Sequence, residues 1–209
     1  VTRRQRQMCI RDRSNVIVED KRRVAAVRDA AGPDAELFID ANCSLDFFHA
    51  VELAGALSPY HITFFEEPIT QNDVRQMADL RRQTGMRVAC GQNEGQQYRF
   101  RDMLVADAVD IIQPNVVITG GFTQCQKIAA LASGFNVGID NGGAWPFFNA
   151  HLQAGCSNGG LVEYHYSSVE ACKLIYDGLI EPADGFFTVI DAPGLGFELN
   201  RERLESFVI

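Results

Sequence analysis

From residue 20 onward, short apolar runs rich in β-branched and aromatic residues alternate with longer stretches in which apolar positions recur at a 3.6-residue period. The short runs are Glu36–Asp40, His61–Glu66, Met86–Cys90, Val109–Gln113, Phe135–Asp140 and Leu161–Tyr164. Unbroken apolar runs of this length predict strands buried on both faces. Between them, Asp73–Arg82 places Val74, Met77, Ala78 and the stem of Arg81 on one helical face, and Gly85 sits past its end as a stop signal. Thr123–Ala132 does the same with Ile128, Ala129 and Leu131, followed by Gly134. The polar residues that close the strands, Asp40, Glu66, Gln92, Asn115, Asp140 and Glu163, follow one another at 26, 26, 23, 25 and 23 residues. A near-constant pitch predicts repeated βα units, which right-handed crossovers close into a barrel. A doubly wound open sheet is the alternative, but no G-x-G-x-x-G follows the first strand. In a barrel, polar residues at the C-terminal strand ends line one face, so these six are expected to converge in a ring. A single one of them would read as a turn residue; six in register read as a site.

Past Tyr176 the pattern changes. Asp177–Val208 contains Pro182, Gly185 and Pro193-Gly194-Leu195-Gly196, with a β-rich run at Phe186–Ile190 and a short helix expected from Arg201. The expected organisation is therefore a partial (β/α) barrel over residues 14–176 and an irregular C-terminal extension over residues 177–209. A full (β/α)8 barrel takes about 250 residues, more than the 209 present.

Composition narrows the class. With 46% hydrophobic and 22% charged residues the chain has the profile of one soluble globular domain. No stretch approaches the roughly 20 apolar residues of a membrane span. The net charge of −8 argues against a nucleic-acid or anionic-membrane partner. Six scattered cysteines without a C-x-x-C pair fit a reducing, cytoplasmic setting. Residues 1–13 stand apart, with five arginines against one acid. They carry neither an amphipathic helix nor an apolar h-region. Met8-Cys9-Ile10-Arg11-Asp12-Arg13 is what ATG TGT ATA AGA GAC AGN encodes, which resembles a sequencing-library transposase adaptor. This segment is expected to be a non-native scar or tail outside the fold.

Asp40 and Glu66 on adjacent strands would project two carboxylates into one cavity, where they repel unless a cation lies between them. Hard oxygen donors suit Mg2+, and no Cys/His cluster on the ring favours zinc. Gln92 stands at the matching place on the third strand, with Asn93 and Glu94 behind it.

Asp40-Ala41-Asn42, Phe65-Glu66-Glu67-Pro68, Gln113-Pro114-Asn115 with Gly120-Gly121, and Val162-Glu163-Tyr164 together resemble the barrel of the enolase superfamily, in its mandelate racemase-like branch of racemases and acid-sugar dehydratases. The resemblance spans residues 20–209. It implies an α/β fold, a TIM-type (β/α)7β barrel of which strands three to eight are present, with the first two strands and an N-terminal capping domain missing; the C-terminal extension would return to that cap. It implies Mg2+ held by Asp40 and Glu66, with Glu67 beside them, and chemistry through an enediolate with a Lys or His base. The family's third ligand is a carboxylate; here Gln92 occupies its place, and Glu94 is the substitute. Asn115 and Gly143 stand where the family pairs an Asp with a His. The family's Lys-x-Lys lies one unit before Asp40, near Ser14.

The expected parent activity is proton abstraction next to a carboxylate, in the dehydration of a hydroxylated sugar acid. Asn42, Asn93, Asn115 and Asn141 are the expected binders of its hydroxyls. Glu163 matches the family position that hydrogen-bonds the substrate carboxylate as an acid, Asp140 is the candidate acid/base, and His165 is its alternate. Racemisation of a 2-hydroxy acid ranks below, because the strand-seven His is absent. A non-catalytic barrel retained for ligand binding is the rival from another class. His151, in an apolar helical run, His49 and His61 read as structural, and Trp145 as a pocket wall or core residue. The parent is expected to be a homo-oligomer, and the fragment alone inactive and poorly soluble, since unpaired edge strands invite association.

Overall fold

Two aspartates begin two of the helices. Asp46 accepts the backbone N–H of His49 at 3.0 Å and Asp73 that of Gln76 at 2.9 Å, each satisfying one of the donors that a helix start leaves unpaired. The helices they cap are α2 (Phe47–Leu57) and α3 (Val74–Thr84). Gly85 closes α3 at φ 68°, the left-handed conformation that glycine reaches without strain.

The computed structural model describes residues 5–9 and 16–207. In chain order the remaining elements are β1 (Gln5–Cys9), α1 (Val16–Ala31), β2 (Glu36–Asp40), β3 (Ile62–Glu66), β4 (Val88–Cys90), α4 (Gln96–Val105), β5 (Ile111–Ile112), α5 (Phe122–Gly134), β6 (Gly138–Asn141), α6 (Pro146–Gly155), β7 (Gly159–Val162), α7 (Tyr166–Ile175), β8 (Tyr176–Asp177), β9 (Glu198–Leu199) and α8 (Arg201–Glu205). This is the alternating α/β order that the periodicity predicts. Two compact units divide the chain: residues 1–91 with 100–112, and residues 92–99 with 113–209.

In the first unit, β1 to β5 pair side by side in chain order, all parallel. Its core gathers Val24 of α1, Ile39 of β2, Leu53 and Leu57 of α2 and Phe65 of β3, each at most 1% exposed. Phe38 and Phe64, opposite one another in register, stack at 4.4 Å. Arg28 gathers the backbone carbonyls of Tyr60, His61 and Ala35, and Arg81 forms a two-pronged pair with Asp110. In the second unit, β6 and β7 pair in parallel. Phe147, Val169 and Cys172 are buried under Trp145, Phe148, Tyr176, Phe187 and Phe197, so the C-terminal extension docks on α6 and α7 through its aromatic rings.

Five local expectations are corrected. β4 is shorter than Met86–Cys90 and β5 shorter than Val109–Gln113, because Asp110 Oδ2 takes the Val88 N–H that a longer ladder would use. β6 starts at Gly138 rather than Phe135, since the Val137 N–H closes back on Ala132 at the end of α5. β7 begins at Gly159, two residues before the expected Leu161. Phe186–Ile190 is no strand: only a bridge between Ala183 and Phe186 forms, and Phe187 is spent on ring contacts.

The predicted set holds six parallel strands; the seventh, β1, falls inside the basic segment set apart by its composition. Cys9 lies opposite Asp40 in its register. Gln-Arg-Gln-Met-Cys has no β-branched residue to announce it. Ser14, the place expected for the lysine motif, lies outside the described residues. Among the described residues no helix is long and apolar enough to cross a membrane.

Candidate functional site

Asp40 and Glu66 are the last residues of β2 and β3, and the parallel ladder sets them directly opposite one another. Adjacent strands lie about 4.8 Å apart, and both side chains are buried, at 3% and 2% exposure. The chain turns sharply after each. Asn42 (φ 47°) folds back so that its N–H reaches Asp40 Oδ1 at 2.7 Å and its side-chain amide reaches Asp40 Oδ2. Glu67 (φ 39°) follows Glu66 and is fully buried; its Oε1 accepts the side-chain amide of Asn72 at 3.1 Å, and Asn72 Oδ1 in turn accepts the Cys43 thiol at 3.3 Å. Burial, then the charges of Glu67 and Asp40, push the Cys43 thiol up to about 12.

Two buried carboxylates in register are costly in a low-dielectric setting without a cation. Their donor set fits Mg2+, which is bound by one or two carboxylates and completes its octahedron with water and substrate oxygens. Among the described residues no group of three or more His, Cys, Asp and Glu is arranged to hold a metal ion. Glu94, the substitute third ligand, pairs with Arg99 at 3.2 Å, so its charge already faces a cation.

The second unit has a different chemistry. Asn115, fully buried just past β5, donates from its side-chain amide to the carbonyls of Gly142, Gly143 and Ala144 at 2.9, 3.0 and 3.2 Å. Its Oδ1 accepts from Val117 N and from Asn149 Nδ2. Both amide hydrogens and both lone pairs are thereby engaged within the protein, which leaves Asn115 no capacity for a sugar hydroxyl. Asn149 of α6, also fully buried, accepts the Val116 N–H and donates to Ala144 and Trp145 carbonyls. Asn141 donates to Gly142 and Ala144 and accepts the N–H of Glu163 at 3.2 Å. Gly143, at φ 73°, lies against Gln92 and Asn115, and a Cβ there would come within 3.2 Å of Gln92 Cβ and 3.3 Å of its Oε1. Glu163, half-buried one residue past β7, accepts the Ala144 N–H on Oε2 at 2.8 Å. Gln92, Asn115, Asn141 and Glu163 are thus gathered around the single loop 142–144.

Asp140 is not part of that cluster. It alternates with Asn141 along β6 and turns to the other face, where its Oδ1 accepts the Leu161 N–H at 2.7 Å. His165 is exposed at the N-cap of α7, and Asn93 is exposed in the loop after β4. His151 donates from Nε2 to the Leu195 carbonyl at 3.0 Å, as a structural residue would. Trp145 packs into the aromatic core.

The sequence reading missed Asn149 and Gln153. They are four residues apart in the run Pro-Phe-Phe-Asn-Ala-His-Leu-Gln, hence on one face of α6, and two polar residues on the buried face of an apolar helix are a readable signal.

An enolase C-terminal domain-like family model matches residues 5–203. D-galactarolactone cycloisomerase of Agrobacterium fabrum is 32% identical over 91% of this chain and 54% of its own length. Arabinonate dehydratase of Saccharolobus solfataricus is 29% identical over 90% of this chain and 52% of its own. The crystal structure of L-talarate dehydratase from Polaromonas sp., complexed with Mg and L-glucarate, superposes with a TM-score of 0.85 at 26% identity, covering 95% of this chain and 54% of that one. The chain spans about half the length of the curated relatives it matches. These relatives are acid-sugar dehydratases and cycloisomerases, and this chain belongs to the enolase C-terminal domain-like family.

Proposed function

We propose that the protein acts on a hydroxylated sugar acid, removing the proton next to its carboxylate in a Mg2+-dependent dehydration. The observation that carries this reading is the buried Asp40–Glu66 pair in register at two strand ends. Asp40 and Glu66 would hold the ion, and Asn42 fixes the Asp40 carboxylate by both oxygens. Bound Mg2+ supplies neutralisation of the charge that develops on the substrate carboxylate as the proton leaves. Glu163 presents a carboxyl group beside the 142–144 loop and serves as the hydrogen-bonding acid toward that developing charge. The relatives support the substrate class: they act on galactarolactone and arabinonate, and the talarate dehydratase holds glucarate with magnesium.

The test is calorimetric titration of Mg2+ into a full-length protein bearing this chain, followed by a screen of acid sugars. Binding in the millimolar range of cellular magnesium or tighter, lost in Asp40→Ala, with Mg2+-dependent turnover of a sugar acid, is the expected result. Turnover of mandelate-like acids alone would overturn the substrate class. The saturation of Asn115 favours a second reading, a barrel retained for ligand binding. Sugar-acid binding that depends on Mg2+ but yields no product would support it.

A further inference from the structure

Strand β7 departs from a regular ladder at one point. Ile139 pairs with Gly159 but Asn141 pairs with Val162, so β7 spends three steps where β6 spends two. The extra residue is a bulge at Gly160–Leu161, and a bulge frees amides that a regular ladder would have paired. Two side chains take up those amides. Asp140 Oδ1 accepts the Leu161 N–H at 2.7 Å, and Gln153 Oε1, from α6, accepts the Gly160 N–H at 2.9 Å. Both side chains are buried, at 9% and 6% exposure. The approach is close enough to require glycine: a Cβ on Gly160 would lie 2.2 Å from Asp140 Oδ1, and one on Gly159 would lie 2.0 Å from the Gln153 carbonyl oxygen. A one-residue insertion turns every following residue to the opposite face of the strand. The first residue past β7 is Glu163, whose Oε2 accepts the Ala144 N–H and whose N–H meets Asn141.

We propose that Asp140 and Gln153 are positioning residues: by capping the Gly160–Leu161 bulge they set the register that carries Glu163 to the 142–144 loop. The proposal rests on the reading of Glu163 as the acid of a sugar-acid reaction. It gives Asp140 a structural hydrogen bond in place of proton transfer. An acceptor oxygen suffices for that bond, so an asparagine can supply it, whereas a general acid or base cannot survive the exchange.

The experiment compares Asp140→Asn, Asp140→Ala and Gln153→Met in the full-length protein, reading amide hydrogen exchange at residues 160–163 together with kcat, KM and the pH profile. Asp140→Asn should leave exchange at Leu161 within about threefold and lower kcat by no more than about fivefold, with an unshifted pH profile. Asp140→Ala should speed exchange at Leu161 by at least about tenfold and lower kcat at nearly constant KM, by an amount approaching that of Glu163→Gln. Gln153→Met should act in the same direction through Gly160. A loss of about 10²–10⁴ in kcat for Asp140→Asn with Leu161 still protected would overturn the proposal and make Asp140 the general acid or base. Unchanged exchange at Leu161 in Asp140→Ala would overturn it as well. Should the protein turn over no sugar acid at all, the reading of the site fails while the exchange measurements still decide the bulge; should Asp140→Ala not fold, Asp140→Asn and Gln153→Met carry the decision.

Discussion

The two units solve the burial of polar groups in opposite ways. The first buries acids: Asp40, Glu66 and Glu67 are all within 3% of complete burial, steered by amide groups of Asn42 and Asn72. The second buries mainly amides: Asn115, Asn149, Asn141 and Gln153 bond to backbone groups and to each other, and the buried acid among them, Asp140, accepts a backbone N–H. A buried acid cluster is stable only with a cation or with its charge otherwise compensated. A buried amide needs only partners, because it carries donors and acceptors in equal number and no net charge. The difference separates a unit that buries acids from one that buries mainly amides, most of them bonded within the protein.

The sharpest way to break the comparison is to put an acid into the amide unit. Asn115→Asp replaces an amide that donates to three carbonyls with a carboxylate that repels them. The cost should be about 3 kcal/mol or more at neutral pH, because the carbonyls lose their donor and a charge is buried beside them. Urea denaturation of the full-length protein measures it. A change below about 1 kcal/mol would mean that the second unit tolerates charge as readily as the first.

That contrast also explains what could be read in the chain. Asp40 and Glu66 were legible because each ends an unbroken apolar run, and an acid at that place is out of keeping with the residues before it. Gly85 was legible as a helix stop. The amide network is not, since its members are scattered over a loop, the end of β6 and a helix, and an asparagine after a strand reads as a turn. The sequence alone offers Asn115 to substrate hydroxyls, yet its donors and acceptor oxygen are engaged within the fold, a saturation that no local pattern announces. Gly159 and Gly160 belong to the strand, and having no Cβ they let the Gln153 backbone carbonyl and the Asp140 side chain approach it. The spacing of strand ends puts Asp140 with the ring, but that spacing cannot tell one face of a strand from the other. The order of βα units followed from periodicity, but β1 lay in a stretch whose charge concealed it.

A second measurement sharpens the comparison from the acid side. Mg2+ at ten times its dissociation constant should stabilise the full-length protein by about 1.4 kcal/mol, seen as a rise in Tm. Glu66→Gln, which removes one of the two facing charges, should abolish most of that rise. Gln153→Met, in the amide unit, should lower Tm but leave the increment from Mg2+ intact. Equal loss of the increment in both variants would erase the distinction between the units.

The smallest effect concerns two thiols, one in each unit. Cys43 and Cys125 are both pushed up to about 12, burial being the largest cause for each. The second cause differs: for Cys43 it is the charge of Glu67, and for Cys125 it is the neighbouring Cys156. A raised thiol pKa favours the neutral form in the folded state. The associated stability is therefore complete below the unfolded value near 9 and drains away as pH rises toward 12. At pH 8 the thiolate fraction of either should be about a thousandfold below that of a free cysteine. Glu67→Gln removes one negative charge from beside Cys43 and none from beside Cys125. Alkylation at pH 9, followed by mass spectrometry, should then quicken at Cys43 by about three- to tenfold and stay constant at Cys125. Equal acceleration at both would show general loosening of the fold, whereas a change confined to Cys43 reports the field of the buried acids acting on its own unit.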